Sequence, residues 1–200
     1  MNRLTIENSA ILESNNDDLL KSVMQELTIS NPKYHEARKA GRYTGNMAAK
    51  LRYFDVLADG RLEVPKGAAR VVYQLVGKRN GLKIKDNRLE LQPVDFSFFA
   101  SLRPYKQQAV KGVLGKDFGL LESGTGSGKT VMALAVITAR QQPTLVLVHT
   151  KELLYQWRDR IQSFLGVDAG LVGNGQYEIK PITVAIVNTA RKNLEDLAFR

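Results

Sequence analysis

Two patterns of hydrophobic residues divide the chain near its middle. In residues 1–100, short apolar stretches alternate with polar residues, as in 82–85, and clusters of Asn, Asp, Gly and Pro separate them. Such alternation predicts half-buried strands joined by turns. From residue 101 onward, continuous apolar runs alternate with longer amphipathic segments. That second pattern is typical of buried parallel strands connected by helices.

The first pattern predicts a small α+β domain at 1–100. Its predicted strands are 4–6, 10–12 and 27–29, its predicted helices are 17–26, 31–41 and 68–76, and its predicted hairpins join 50–57 to 62–64 and 82–85 to 89–91. Asn31 suits the N-cap of the second helix, and Pro32 suits its first position. The aromatic run Phe96–Phe99 is expected to pack between the two halves.

The second pattern predicts an α/β domain with a parallel sheet at 101–200. Its predicted helices are 104–114, 129–140 and 151–165, and its predicted strands are 118–122, 144–148, 171–172 and 182–187. The helix at 151–165 places its large apolar residues on one face, so Trp157 is expected in the core.

A glycine-rich stretch lies between the predicted strand 118–122 and the predicted helix 129–140. It reads Ser123-Gly124-Thr125-Gly126-Ser127-Gly128-Lys129-Thr130. Strand, loop and helix are the context of a P-loop, whose backbone amides and helix N-terminus hold phosphate groups. Lys129 is expected to reach the β- and γ-phosphates and the Thr130 hydroxyl to hold Mg²⁺. Ser123 stands where the strict pattern has glycine, and a glycine-rich turn without a ligand is the alternative.

Composition narrows the classes of protein that fit. The chain of 200 residues contains no cysteine, which excludes disulfides and thiolate zinc sites and fits a cytoplasmic protein. Residues 1–200 contain no apolar run of about 18 residues, so no membrane partner is expected. The formal net charge of +9 favours an acidic partner such as nucleic acid.

The basic excess is concentrated in one part of the first half. Residues 31–88 carry 14 Lys and Arg against 5 Asp and Glu. Five of the residues there are candidates for nucleic-acid binding: Lys33, Arg38, Lys39, Arg42 and Tyr43. The cations would contact phosphates, and tyrosine rings can stack on bases. Two alternatives stay open: a solubilising lysine-rich surface, and tyrosines at the edge of a core.

Four ordered motifs of the second half carry a family resemblance. They are 102–105, the P-loop at 123–130, the segment 145–153 followed by Gln156-Trp157, and 184–189. Together they resemble the N-terminal RecA-like domain of superfamily 2 DEAD/DEAH-type helicases, in the XPB/UvsW-like branch that is also described as type III restriction-subunit-like. Residues 27–100 are similar, more weakly, to the accessory domain of such proteins. The expected fold class is α/β: a partial RecA-like P-loop domain preceded by a small α+β domain.

The resemblance implies roles for residues outside the P-loop. The implied ATP-binding residues near the adenine are Arg103, Tyr105 and Gln107, and the implied nucleic-acid contacts are Thr150, Lys151, Asn188 and Thr189. The family commonly has Gln directly after the Tyr. Here Lys106 holds that position, and Gln107 follows after a helical rotation of roughly 100°. Thr150 can equally serve as an N-cap.

The resemblance also implies an activity that the 200 residues would only begin. No Asp-Glu motif of the Walker B type appears in the sequence, and it is expected just beyond Arg200 together with a second RecA-like domain. The resemblance therefore implies the N-terminal part of an ATP-dependent DNA helicase or translocase that uses ATP and Mg²⁺. Branched or damaged DNA are candidate substrates, and RNA stays open. The alternatives are a DNA-binding module with a nucleotide-sensing P-loop and the motor part of a restriction complex.

Overall fold

The computed structural model describes residues 2–77 and 81–197 and has two compact units, Met1–Leu89 and Glu90–Arg200. The sequence placed the boundary at residue 100, so the residues between 90 and 100 lie in the second unit instead of the first. None of the helices in the described ranges is long and apolar enough to cross a membrane.

The first unit is built on a mixed five-stranded sheet. Its strands are β1 (Asn2–Ile6), β2 (Ser9–Glu13), β5 (Asp55–Val56), β6 (Leu62–Pro65) and β7 (Leu82–Asp86), in the spatial order β5-β6-β2-β1-β7. Strand β7 pairs in parallel with β1, and the other pairs are antiparallel. A separate antiparallel pair joins β3 (Thr28–Ser30) to β4 (Lys50–Arg52).

Three helices accompany these strands. They are α1 (Asp17–Glu26), α2 (Pro32–Lys39) and the short α3 (Ala69–Val72), which lies between a 3₁₀ turn at Lys66–Ala68 and a π turn at Tyr73–Gly77. The side chain of Asn16 caps α1, because its oxygen accepts a hydrogen bond from the Leu19 amide. Asn31 caps α2 as predicted, because its side-chain oxygen accepts a hydrogen bond from the Lys33 amide at 3.1 Å.

Two predicted pairings of the first unit were wrong. Residues 89–91 form no strand, because β7 finds its partner in β1 and not in a hairpin. The predicted strand 50–57 is divided, because β4 pairs with β3 and only β5 pairs with β6. A core of buried side chains covers the sheet: Leu4, Leu12, Leu20, Val23, Leu62, Val64 and Val72.

The second unit contains a four-stranded sheet with a parallel centre. Its strands are β8 (Thr144–Val148), β9 (Gly170–Gly173), β10 (Gln176–Tyr177) and β11 (Ile182–Ile186), in the order β10-β9-β11-β8. Strand β11 runs parallel to both β8 and β9. Side chains alternate between the faces, so Val184 joins the larger core while Ala185 joins a smaller core on the opposite face.

The three longer helices of this unit lie where the sequence predicted them, whereas the two short helices after β11 were not predicted, and residue 187 begins the first of these instead of ending the strand. They are α4 (Pro104–Leu114), α5 (Lys129–Arg140), α6 (Lys151–Leu165), α7 (Val187–Ala190) and α8 (Leu194–Leu197). Helices α5 and α6 supply Leu134, Ile137, Leu154, Ile161 and Leu165 to the larger core. Trp157 packs against the same core, as expected. The shorter α7 and α8 bury Ala190 and Leu197 against the opposite face.

The predicted strand at 118–122 does not form. Phe118 and Leu120 are exposed, and the segment has no strand partner within the described residues. A strand is defined by hydrogen bonds to a neighbour, and β8 pairs only with β11 in the described part. Apolar sequence alone is therefore not sufficient to make this segment a strand.

Residues 90–99 are held by α5 and α6. The Leu91 amide donates to Gln142 Oε1 at 3.1 Å, and the Val94 amide donates to the Gln141 carbonyl at 2.8 Å. The Phe99 amide donates to the Phe164 carbonyl at 2.8 Å. Phe96 is buried in the core of the second unit, which explains why this extended segment belongs there.

Candidate nucleotide and nucleic-acid site

The loop at 123–128 encloses the lysine that follows it. Lys129 Nζ donates to the carbonyl oxygens of Ser123 and Gly124, each at 2.9 Å. Gly126 and Gly128 have φ angles of +77° and +88°, which L-residues with side chains rarely adopt. Lys129 is the first residue of α5, so the positive end of the helix dipole also lies at the loop.

Hydroxyl groups in and next to the loop lack hydrogen-bond partners among the described residues, and those of Ser127 and Thr130 bear on ligand binding. The Ser127 hydroxyl oxygen is buried and has no partner among the described residues. Leaving such a group unsatisfied costs about 1–3 kcal/mol, and native structures rarely tolerate it without a reason. The Thr130 hydroxyl in the first turn of α5 likewise makes no hydrogen bond within the described ranges. Both groups are therefore able to contact a ligand without breaking an existing bond.

The first turn of α4 contacts this loop. The Tyr105 hydroxyl donates to the Ser127 carbonyl at 3.2 Å, which brings one predicted adenine-site residue to the loop. Arg103 is the exposed N-cap residue of α4. Gln107 Nε2 donates to the Leu102 carbonyl at 2.9 Å, so its amide group is held beside its own backbone. Lys106 lies against Gly128, a contact that the sequence motif did not indicate.

The two implied strand-contacting motifs lie at one edge of the sheet. Strands β8 and β11 are parallel neighbours with Val148 opposite Ile186. The motif at 150–151 begins two residues after the first strand ends, and the motif at 188–189 begins two residues after the second. Because parallel strands end at the same edge, both motifs lie along the carboxyl edge, where α/β folds bind ligands.

The residues of these motifs differ in their exposure and in the hydrogen bonds they make. Lys151 and Asn188 are exposed, and Lys151 has no ion pair among the described residues. Thr189 is half-buried, and its carbonyl accepts from Asn193 Nδ2 at 2.8 Å. Thr150 is exposed, and its hydroxyl oxygen accepts from the Leu153 amide at 3.3 Å. The N-cap role that the sequence left open for Thr150 is therefore present.

Thr150 also influences the ionisation of a nearby carboxyl group. The pKa of Glu152 lies below its ordinary value, because its carboxylate accepts a hydrogen bond from its own backbone amide and, second, from the Thr150 hydroxyl. The neighbouring Lys151 charge acts in the same direction. The Thr150 hydroxyl, which is the N-cap, and the neighbouring lysine therefore lie at one helix terminus, where backbone amides also favour an anion.

The basic candidates of the first unit are accessible cations. Lys33, Arg38, Lys39 and Arg42 are exposed, and none has an ion pair or a side-chain hydrogen bond among the described residues. Tyr43 is 96% exposed, so for this residue a place at the edge of the core is excluded. A tyrosine ring in water beside unpaired cations is a suitable stacking group for nucleic-acid bases.

No cluster of three or more His, Cys, Asp or Glu side chains that could hold a metal occurs in residues 2–77 and 81–197. For Mg²⁺ the relevant group is the Thr130 hydroxyl beside Lys129. Its position in the first turn of α5, with no competing hydrogen bond in the described part of the chain, fits the expected ligand.

Comparison with known proteins agrees with these motifs. A model of the family described as type III restriction enzyme, res subunit, matches residues 99–199. The chain belongs to this family. The "DNA 3'-5' translocase XPB2" of Sulfurisphaera tokodaii is 38% identical over 96 residues, which cover 48% of this chain and 22% of that protein. The chain therefore spans about a fifth of the length of this relative.

A solved structure shares the fold. The crystal structure of T4 UvsW matches the present chain with a TM-score of 0.62 and 13% sequence identity. The match covers 96% of the present chain and 44% of the UvsW chain. The predicted α/β fold class and the resemblance to the XPB/UvsW-like branch of superfamily 2 are thereby confirmed. The roles of the individual site residues stay predictions.

Proposed function

We infer that this chain is the nucleotide-binding part of an ATP-dependent DNA helicase or translocase. The observation that carries the proposal is the P-loop: Lys129 Nζ donates to two of its carbonyl oxygens, and the buried Ser127 hydroxyl has no partner among the described residues. Membership of the family and the name of XPB2 support a motor acting on DNA.

Each group of the P-loop would contact a different part of ATP or its metal ion. Lys129 would exchange its two carbonyl acceptors for oxygens of the β- and γ-phosphates. The backbone amides of 124–128 would surround the phosphates, and Thr130 would hold Mg²⁺. Mg²⁺ would neutralise phosphate charge, and the nucleotide would supply the electrophilic phosphorus for hydrolysis. Tyr105 would keep the first turn of α4 beside the loop through its hydrogen bond to Ser127.

The carboxyl edge of the sheet would hold the DNA backbone. Thr150 and Lys151 offer a hydroxyl and a cation next to the N-terminus of α6, and Asn188 and Thr189 follow the neighbouring strand. Phosphate contacts of this kind position a strand without reading its sequence. The unpaired cations of the first unit, together with Tyr43, would add affinity that depends on salt.

Hydrolysis would require groups beyond the described site. A carboxylate that binds the metal, a water-positioning group and an arginine act together with the P-loop in phosphoryl transfer. We place these in an Asp-Glu motif and a second RecA-like domain outside the 200 residues. The 200-residue chain alone should therefore bind ATP and turn over essentially none.

The decisive experiment measures ATP hydrolysis by the full-length protein with and without DNA. DNA should stimulate turnover, and Lys129→Ala should abolish it. Lys111→Ala is the matched control, because Lys111 is an exposed lysine of α4 without an ion pair in the described ranges. Turnover that is independent of DNA and survives Lys129→Ala would refute the proposal, and so would robust hydrolysis by the 200-residue chain.

A further inference from the structure

Lys106 occupies the space beside the P-loop that a glycine leaves open. A Cβ placed on Gly128 would lie 2.6 Å from Lys106 Nζ and 3.0 Å from its Cε. Any side chain at position 128 would therefore displace the ammonium group. Gly128 immediately precedes Lys129, so a second lysine lies at the helix end of the same loop.

The ammonium group of Lys106 lacks an acceptor in the part of the chain that the structure describes. Among residues 2–77 and 81–197 it has no ion pair and donates no hydrogen bond, and its one recorded interaction is with the ring of its neighbour Tyr105, 5.8 Å to the centroid. The residue is half-buried. A partly desolvated cation without an acceptor is unfavourable, and an anion beside it removes that cost.

The backbone around Lys106 is fixed relative to the loop. Tyr105 is tied to Ser127 by the hydrogen bond of 3.2 Å described above, and α4 packs along α5. Arg140, at the end of α5, donates to the carbonyl of Lys116 at 2.7 Å, which fixes the connection after α4. The placement of the ammonium group thus follows from the packing of two helices and not only from a flexible side chain.

We propose that Lys106 is a second phosphate-binding lysine of this site, recognising the polyphosphate of a nucleoside triphosphate and not its base. The proposal rests on the nucleotide-binding function inferred above and adds a residue to it. Gln107, the next polar side chain on α4, is held to the Leu102 carbonyl, so of residues 106 and 107 the one whose side chain lies beside the loop carries a charge. The contribution of Lys106 should consequently be the same for different bases.

The test measures the affinity of the 200-residue chain for a fluorescent ATP analogue in Mg²⁺. ATP, GTP and inorganic tripolyphosphate then serve as competitors. Lys106→Met keeps the length of the side chain and removes the charge. Because a hydrogen bond to a charged group contributes about 1.5–3 kcal/mol, Kd should rise roughly tenfold to a hundredfold for all three competitors. Lys106→Arg should restore most of the affinity.

Three further measurements separate this contact from a structural role. Lys111→Met removes a charge from the same helix and should leave Kd unchanged. The thermal midpoint of Lys106→Met should be no lower than that of the wild type, because the ammonium group has no hydrogen bond or ion pair to lose among the described residues. The salt dependence of Kd should become shallower in Lys106→Met, because one cation fewer contacts the ligand.

The outcomes distinguish this inference from the function on which it rests. A Kd for Lys106→Met equal to that for Lys111→Met, while Lys129→Ala abolishes binding, overturns the role of Lys106 and leaves the nucleotide site standing. A loss for ATP without a loss for tripolyphosphate overturns it as well, because Lys106 would then serve the base. Absence of saturable binding by the wild-type chain overturns both.

Discussion

Thr150 tests whether the carboxyl edge of the sheet holds a nucleic-acid strand. Its hydroxyl caps α6 through a hydrogen bond of 3.3 Å to the Leu153 amide, and the same hydroxyl is proposed to contact a phosphate. A substitution by alanine removes both interactions and cannot separate them. Thr150→Asp separates them, because aspartate is a good N-cap and its negative charge repels phosphate.

The structure sets the size of the effect on stability. Losing an N-cap costs about 0.5–2 kcal/mol, and the long, exposed hydrogen bond of Thr150 favours the lower half of that range. Thr150→Ala should therefore lower the free energy of unfolding by about 0.5–1 kcal/mol. Thr150→Ser should stay close to the wild type, because it retains a capping hydroxyl. Thr150→Asp should lie between Thr150→Ser and Thr150→Ala, because it retains a capping oxygen but brings a second carboxylate next to Glu152.

The effect on DNA binding should follow a different order. Fluorescence anisotropy with a labelled single-stranded oligonucleotide at low salt measures affinity, and urea unfolding measures stability. Thr150→Ser should bind like the wild type, Thr150→Ala more weakly, and Thr150→Asp weakest of all. If Thr150→Asp binds DNA as well as the wild type, affinity depends only on the cap, and the proposed phosphate contact is wrong.

Three further predictions follow from the described contacts. Tyr43→Ala should weaken DNA binding by about 1–3 kcal/mol, the contribution of one stacked base. The thermal midpoint should not change, because the ring is 96% exposed, and unchanged affinity would contradict the stacking role. Leu154→Ala should lower the free energy of unfolding in urea by about 2–5 kcal/mol, since Leu154 is fully buried. Leu153→Ala should lower it less, because Leu153 is partly exposed, and equal losses would contradict this packing. Thr150→Ala should raise the lowered pKa of Glu152 towards its ordinary value in a carboxyl NMR titration. The lowered pKa of Glu152 contributes stability above the ordinary pKa of a glutamate. That stability is lost as the pH falls through the lowered pKa of Glu152, and its size should decrease in Thr150→Ala.

Local signals in the sequence were sufficient for most of the second unit. Pro104 starts α4, Thr150 caps α6, and continuous apolar runs mark β8 and β11. Each of these signals acts within a few residues along the chain, which is why helix bounds can be read from it. The P-loop could likewise be recognised, because its function depends on a contiguous stretch of backbone and one lysine.

Only the tertiary structure decided the features that depend on distant partners. Strand β7 pairs with β1, some 80 residues away in the chain, and the apolar segment at 118–122 is not a strand because no described neighbour pairs with it. Residues 90–99 join the second unit through bonds to α5 and α6. Hydrogen bonding between strands is non-local, so periodicity cannot choose among possible partners.

The same distinction holds for the site. The sequence determined that Lys106 stands one position before Gln107, and the motif showed only that this departs from the family pattern. The fold decided where the Lys106 side chain lies, because packing of α4 against α5 brings it to the space beside Gly128. The sequence by itself thus determined which residues are candidates for the chemistry. The tertiary structure decided which of them meet, since a side chain's neighbours are set by packing and not by order along the chain.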